Sequence, residues 1–181
     1  FGQNIAGFVR MKVNAPKGTQ ITLEHCEILD KQGKFFNNIQ GAGGVGKGVD
    51  QKDVYVCDGT SATYEPHFTY HGFRYVRVTG IEPKAEDFTA CVVSTEKENL
   101  GTFKTSDERL NRLYKNIRWS QCANMLSVPT DCPQREKAGW TGDMLVYSRT
   151  ALLNEDCTAF FTRWLYNMEC DQDGYGIIPM V

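Results

Sequence analysis

The stretch KTSDERLNRLYKNIRWSQCANML, residues 104–126, decides the fold, because the period of the apolar residues changes here. Three apolar residues lie at the spacing of one helix face: Leu110, Leu113 and Ile117. Thr105 and Glu108 have the spacing of a capping box, and the acidic residues at 107 and 108 suit the positive end of a helix dipole. The stretch therefore predicts an α-helix that begins near residue 107.

Two further stretches have helical spacing. MLVYSRTALLN, residues 144–154, predicts a second helix, and CTAFFTRWLYNMEC, residues 157–170, predicts a third. PTDCPQREKAGWTGD, residues 129–143, then falls in the connection between the first two helices. Trp119 and Trp164 lie within helical patterns, and we expect both side chains in the core.

Upstream of residue 95 the apolar residues alternate with polar ones. Val9, Met11 and Val13 alternate with Arg10 and Lys12. Further strands are predicted around Ile21 and Leu23, Val54 and Val56, and Phe73, Tyr75, Val76 and Val78. Short strands with frequent turn signals and no helices between them predict an antiparallel β-sandwich. We therefore expect two domains, a β-sandwich over 1–98 and a helical domain over 99–181, with the boundary in ENLGTF.

Composition limits the function. The chain has 181 residues, of which 41% are hydrophobic and 23% charged, and this balance is typical of a globular, soluble protein. A net charge of −2 gives no electrostatic reason to expect nucleic acid or an anionic membrane as partner. The seven cysteines are odd in number and include no CxxC pair, which disfavours a disulfide framework and a zinc site. The first residues read as the middle of a strand, so we expect a piece of a longer protein and leave the compartment open.

Two motifs are interpreted as structural. GAGGVGKG, residues 41–48, matches GxGxxG, but a strand follows it instead of a helix, so a hairpin loop is the preferred interpretation. His67 and His71 lie four apart on a predicted strand with no third ligand type nearby, and we interpret them as structural polar residues. Cys132 would need a histidine base for catalysis, and every histidine falls in the β half, so packing is the favoured role.

The connection between the first two helices carries three carboxylates, Asp131, Glu136 and Asp143. One interpretation is a salt-bridged turn, with Arg135 and Lys137 neutralising two of them. The other is a sugar site, because glycoside hydrolysis needs a carboxylic acid and further carboxylates that bind hydroxyls, and clustered carboxylates raise one another's pKa. In the same stretch, Trp140 offers a flat apolar face to a sugar ring.

The pattern N-x4-PTDCPQRE-x2-GWTGD, residues 124–143, closely resembles the signature of the bacterial α-L-rhamnosidases, glycoside hydrolase family 78. The resemblance extends over nearly the whole chain, through FGQNIAGFVRMKV, YEPHFTYHGFRYVRVTG and GTFKTSDERLNRLYKNIRWSQ. It implies a β-sandwich followed by the first helices of an (α/α)6 catalytic barrel. Lys137-Ala138 stands where Arg-Leu is commoner in the family, a departure that concerns packing more than chemistry.

The resemblance implies roles for single residues. Glu136 matches the general acid, Asp131 and Asp143 match carboxylates that bind rhamnose hydroxyls, and Arg135 and Trp140 match further pocket residues. The family works by inversion, and its general base is a glutamate downstream in the barrel, outside this chain. No metal or organic cofactor is implied.

We therefore expect an internal fragment of an inverting enzyme that removes terminal α-L-rhamnose from glycosides or polysaccharides. The fragment alone should be inactive, and its exposed apolar helix faces should cause self-association. The alternative is a carbohydrate-binding or structural β-sandwich module with a non-catalytic helical stub.

Overall fold

The computed structural model describes residues 1–36 and 50–181, which separate into two compact units. The first, here called the β unit, contains Phe1–Val93 together with Pro133–Arg135. The second, here called the helical unit, contains Ser94–Cys132 and Glu136–Val181. The glycine-rich stretch 41–48, interpreted as a hairpin loop, lies outside the described residues.

The strands of the β unit form two antiparallel sheets. The described strands are β1 (Ile5–Val13), β2 (Gln20–Cys26), β3 (Lys52–Val56), β4 (Ala62–Tyr64), β5 (His71–Phe73), β6 (Tyr75–Thr79) and β7 (Phe88–Val92). In one sheet the long strand β1 pairs with β4, β5 and β7, and in the other β2 lies between β3 and β6. A short 3-10 turn, Ala85–Asp87, precedes β7.

The alternation predicted for the first two strands is confirmed. Val9, Met11 and Val13 are buried, while Arg10 and Lys12 between them are exposed. The core contains residues of both sheets: Ile5, Val9, Met11 and Val13 of β1, Ile21 and Leu23 of β2, and Phe73 of β5. Side chains from two sheets therefore meet in one interior, which makes this unit a β-sandwich.

Two strand predictions are wrong in detail. Val54 and Val56 are 43% and 59% exposed, because β3 turns Asp53 inward, where this carboxylate pairs with His71. The strand predicted through His67 and His71 is broken, since β5 and β6 belong to different sheets and His67 is exposed outside any strand. His67 and His71 consequently do not share a face.

The helical unit contains α1 (Glu108–Asn124), α2 (Thr141–Asn154) and α3 (Thr158–Cys170), close to the predicted spans. The capping box is wrong, because the N-cap of α1 is Asp107, whose carboxylate accepts from the Arg109 amide at 2.9 Å. Thr105 instead accepts from the Asp107 amide at 3.1 Å. None of the described helices is long and apolar enough to cross a membrane.

The core of the helical unit is small. It consists of Met125, Met144, Ala151, Cys157 and Phe160, with Tyr147, Phe161 and Trp164 packed against it. Trp164 is therefore partly buried as expected, whereas Trp119 is 37% exposed and lies outside this core. α1 buries Asn111 and Gln121, and its leucines face outward.

Candidate active site

The connection between α1 and α2 is closed into a tight loop by two hydrogen bonds. The Asp131 amide donates to the Ala138 carbonyl at 3.1 Å, and the Ala138 amide donates to Asp131 Oδ1 at 3.1 Å. Lys137 makes the return turn with a left-handed φ of 53°. At the other end, the Thr130 amide donates to the Asn124 carbonyl at 2.8 Å and so ties the loop to the end of α1. These bonds fix both the backbone and the side chain of Asp131.

Cys132 links Asp131 to Glu136 within this loop. Its thiol donates to Asp131 Oδ2 at 3.0 Å, and the Glu136 amide donates to Cys132 Sγ at 3.3 Å. The thiol thus serves as both donor and acceptor inside the loop. Asp131 accepts hydrogen bonds on both of its carboxylate oxygens.

Glu136 is held by an indole. Trp140 Nε1 donates to Glu136 Oε2 at 2.8 Å, and both side chains are half-buried. Trp140 also occupies the N-cap position of α2. Next to it, a Cβ at Gly139 would lie 2.5 Å from Cη2 of Trp164, so glycine is needed where α3 packs against the loop. From the sequence, Trp140 was expected to present a flat apolar face to a sugar ring, and its hydrogen bond to Glu136 was not predicted.

A cavity of about 270 Å³ in the helical unit brings Asp131 and Asp143 together. It is lined by Ser120, Asn124, Met125, Pro129, Thr130, Asp131, Asp143, Met144 and Tyr147. This volume lies near the lower end of the range for ligand pockets, of order 300 Å³, and suits one sugar ring. Asp143 lies in the first turn of α2, where the helix dipole favours a carboxylate.

Tyr147 is a cavity residue that the sequence did not single out. It follows Asp143 by one helical turn, so both face the cavity. Burial raises the pKa of its phenol, and its hydroxyl donates to Gln121 Oε1 at 3.1 Å. Its position four residues after Asp143 was the sequence signal that could have identified it as a cavity residue.

Behind Tyr147 lies a buried polar network. Gln121 also accepts from Asn154 Nδ2 at 2.9 Å and donates to Glu155 Oε2 at 3.0 Å. Glu155 pairs with Arg118 at 2.9 Å and with Lys97 at 3.6 Å. These bonds join the linker before α1 to α1 and to the end of α2, so polar contacts hold the wall of the cavity.

Three potential metal ligands meet in the β unit. Among the described residues, His25, Asp53 and His71 have ligand atoms within 4.8 Å of one another, and all three are buried. His71 Nε2 lies 2.9 Å from Asp53 Oδ1, and the two imidazole rings are stacked at 4.1 Å with an interplanar angle of 18°. Stacked rings direct their in-plane lone pairs side by side instead of at one point, whereas zinc requires converging ligands. Within the cluster, His71 is hydrogen-bonded to Asp53, and His25 Nε2 lies 3.8 Å from Asp53 Oδ2.

Comparison with known proteins assigns the family. Residues 1–94 match the bacterial alpha-L-rhamnosidase concanavalin-like domain, and residues 98–181 match the bacterial alpha-L-rhamnosidase 6 hairpin glycosidase domain. The chain belongs to the bacterial α-L-rhamnosidase family. The resemblance found in the sequence is confirmed, and the three helices correspond to the beginning of the helical barrel domain.

Relatives are similar over almost all of this chain. An alpha-L-rhamnosidase of Streptomyces avermitilis is 39% identical over 180 residues, which cover 97% of this chain and 17% of that protein. The crystal structure of the Streptomyces avermitilis alpha-L-rhamnosidase complexed with L-rhamnose matches with a TM-score of 0.91 and 38% identity, over 99% of this chain and 17% of that one. An alpha-L-rhamnosidase from Dictyoglumus thermophilum matches with a TM-score of 0.91 and 35% identity, over 100% and 20% of the two chains. The chain thus spans 17–20% of the length of these relatives.

Proposed function

We propose that this chain is the segment of an inverting α-L-rhamnosidase that carries the general acid, Glu136, and two substrate-binding carboxylates, Asp131 and Asp143. The observation that carries the proposal is the cavity that these two aspartates line together. Its size suits a single terminal sugar, and a relative of known structure is complexed with L-rhamnose. The substrate class is accordingly a glycoside or polysaccharide with terminal α-L-rhamnose.

Asp131 and Asp143 bind the sugar in ionised form. Asp131 already accepts hydrogen bonds on both oxygens, from the Ala138 amide and the Cys132 thiol. Each carboxylate oxygen has a second lone pair that can accept a sugar hydroxyl. Asp143 is exposed in the first turn of α2, where its carboxylate can reach a sugar hydroxyl in the cavity.

Glu136 donates the proton to the leaving oxygen. Trp140 holds its Oε2, and an indole nitrogen only donates, so the acid proton of the protonated side chain resides on Oε1. Trp140 thereby determines which oxygen faces the glycosidic bond. Arg135, the neighbour of Glu136 in the chain, is proposed as a further pocket residue.

The reaction requires a second carboxylate. In inverting enzymes a general base activates water on the opposite face of the sugar, with the two carboxyl groups ~6.5–9.5 Å apart. The family resemblance assigns this base to a glutamate beyond the present segment. We therefore expect the 181-residue chain to show no rhamnosidase activity by itself.

The test uses Glu136→Gln, Asp131→Asn and Asp143→Asn in the full-length enzyme, each assayed on two rhamnosides. Glu136→Gln should slow a substrate with a poor leaving group by about 10²–10⁴, and an aryl rhamnoside with a good leaving group much less. The aspartate variants should harm both substrates alike, because they weaken sugar binding. Glu96→Gln, at an exposed position of the helical unit, is the matched control and should leave both rates unchanged.

Two outcomes would contradict the proposal. If Asp131→Asn or Asp143→Asn shows the leaving-group dependence and Glu136→Gln does not, the acid is assigned to the wrong carboxylate. If rhamnose binding survives both aspartate substitutions, the cavity is not the sugar site, and the carbohydrate-binding β module becomes the better account.

A further inference from the structure

Three residues of the loop between α1 and α2 belong to the β unit. Pro133–Arg135 group with Phe1–Val93, although the loop residues on either side belong to the helical unit. In the sequence they lie between Asp131 and Glu136, the proposed sugar ligand and the proposed acid. A contact that fixes these three residues therefore also restricts the positions of Asp131 and Glu136, because the chain connects them.

Gly72 of β5 receives this segment by close backbone approach. A Cβ at position 72 would lie 2.9 Å from Cβ of Gln134 and 2.9 Å from Cγ of Pro133. It would also lie 3.1 Å from the Gln134 amide nitrogen, so the neighbours would have to shift. Pro133 and Gly72 are both buried. Glycine is needed at 72 because of the loop packed on it.

A charge-assisted hydrogen bond holds the same segment from the side. Gln134 Nε2 donates to Glu27 Oε2 at 2.7 Å, and the other oxygen of Glu27 accepts from Asn4 Nδ2 at 3.0 Å. Hydrogen bonds to an ionised acceptor are roughly twice as strong as neutral ones. Glu27 thus fixes the side chain of Gln134 while Gly72 supports its backbone.

Buried polar groups in turn hold β5, the strand that carries Gly72. Gln51 Nε2 donates to the Gly72 carbonyl at 2.9 Å, and Gln51 Oε1 accepts from His71 Nδ1 at 3.0 Å. The other nitrogen of His71 bonds to Asp53 at 2.9 Å. Buried hydrogen bonds of this kind restrain the backbone that they hold. The network thus connects Asp53 and His71 of the buried cluster to the strand that carries Gly72.

We infer that Gly72 and Glu27 are positioning residues for the general acid. They hold Pro133 and Gln134 within the β unit, and the chain transmits this placement to Glu136, two residues after Gln134. The inference rests on the proposed role of Glu136. A displacement of about 1 Å of a catalytic group can cost about 10²-fold in rate, so such support has a measurable effect.

The test compares Gly72→Ala with Gly59→Ala in the full-length enzyme. Gly59 has a φ of 96° at a turn of the β unit, so Gly59→Ala strains the same unit away from the loop. Gly72→Ala should slow the poor-leaving-group rhamnoside by about 10–10² and the aryl rhamnoside much less, with KM little changed. The amides of Glu136 and Ala138 should exchange with deuterium about tenfold faster than in the parent. Gly59→Ala should change neither readout.

A second pair keeps the test decisive if Gly72→Ala does not fold. Glu27→Ala removes the acceptor for Gln134, whereas Glu27→Gln keeps an amide oxygen there. Glu27→Ala should reproduce both effects in weaker form, and Glu27→Gln should restore most of the rate. Equal behaviour of Gly72→Ala and Gly59→Ala, or of the two Glu27 variants, overturns the inference.

The exchange readout separates this inference from the proposed function. If Glu136→Gln lacks the leaving-group signature, the acid assignment fails, and amide exchange alone then decides whether the β unit holds the loop. Faster exchange at Glu136 and Ala138 supports the holding contact, and unchanged exchange overturns it.

Discussion

Both units bury polar side chains, but the β unit has the larger apolar core. In the β unit, Met11, Ile21 and Leu23 are no more than 1% exposed and form a continuous apolar core. In the helical unit, Leu113 is 53% exposed while Gln121 is only 1% exposed. The sandwich therefore combines its buried polar groups with a large apolar core, whereas the three helices combine a buried polar network with a small apolar cluster.

The difference shows what a periodic pattern can and cannot predict. A period of two or of 3.6 identifies a strand or a helix, because it reflects the geometry of the backbone. Which face is buried depends on what packs against it. The sandwich contains both of its sheets, so the apolar residues of β1 and β2 point inward as the pattern suggests, whereas Val54 and Val56 of β3 point outward. The helices of this chain leave their leucines exposed, and the chain spans only 17–20% of the length of its relatives.

The largest effect should come from the polar network. Glu155→Ala leaves Lys97 and Arg118 without their carboxylate, and the Lys97 side chain is only 4% exposed. Loss of one partner from a buried ion pair costs about 3–5 kcal/mol. Urea denaturation followed by circular dichroism should show this loss for the helical transition. Glu169→Ala, at an exposed position of α3, is the control and should stay within about 0.5 kcal/mol of the parent.

A matched pair of leucines compares the two units directly. Leu23→Ala should lower the free energy of unfolding by about 2–5 kcal/mol, because it empties a site in the core of the sandwich. Leu113→Ala should lower it by no more than about 0.5 kcal/mol, because this side chain is already in contact with solvent. Similar losses in the two variants, measured by urea denaturation, would show that the helical face is covered.

The exposed helix faces should cause self-association of the isolated chain. Leu153 is 81% exposed on α2, and burial of a leucine contributes about 1.5–3 kcal/mol. Leu153→Lys should therefore weaken association measurably in sedimentation velocity. Asn116→Lys, which adds the same charge at an exposed polar position of α1, should not. A monomeric parent chain would refute this prediction.

The smallest effect concerns a surface ion pair of the sandwich. Glu24 on β2 lies opposite Arg77 on β6 at 2.8 Å, and the hydrogen bond from Arg77 lowers the pKa of Glu24. A carboxyl with a lowered pKa stabilises the folded state above its unfolded value of about 4.3, and this contribution is lost as the pH falls through the folded pKa. Glu24→Gln should destabilise by less than about 1 kcal/mol at pH 7. The difference should disappear in acid, and a constant difference down to pH 2 would exclude the ion pair as its cause.

The sequence predicted the order and type of the elements and the loop that holds Asp131 and Glu136, whereas Asp143, also expected in the loop, lies in the first turn of α2. It did not predict that β3 turns Asp53 inward, because a buried carboxylate depends on partners distant in the chain, here His71. Tyr147 and Gln121 were missed for a similar reason, since their hydrogen bond joins two helices. The contact of Gly72 with Gln134 joins residues 62 positions apart, and no local pattern indicates it.

The pH dependence of kcat/KM for Glu136→Gln tests the central claim most directly. It should be measured in the full-length enzyme on an aryl rhamnoside with a good leaving group, since this substrate still reacts without an acid. If Glu136 is the proton donor, the parent should show a bell-shaped profile, and the fall in rate at high pH should be absent from the variant. A variant that keeps this fall unchanged would contradict the account, because the group that must remain protonated would then lie elsewhere.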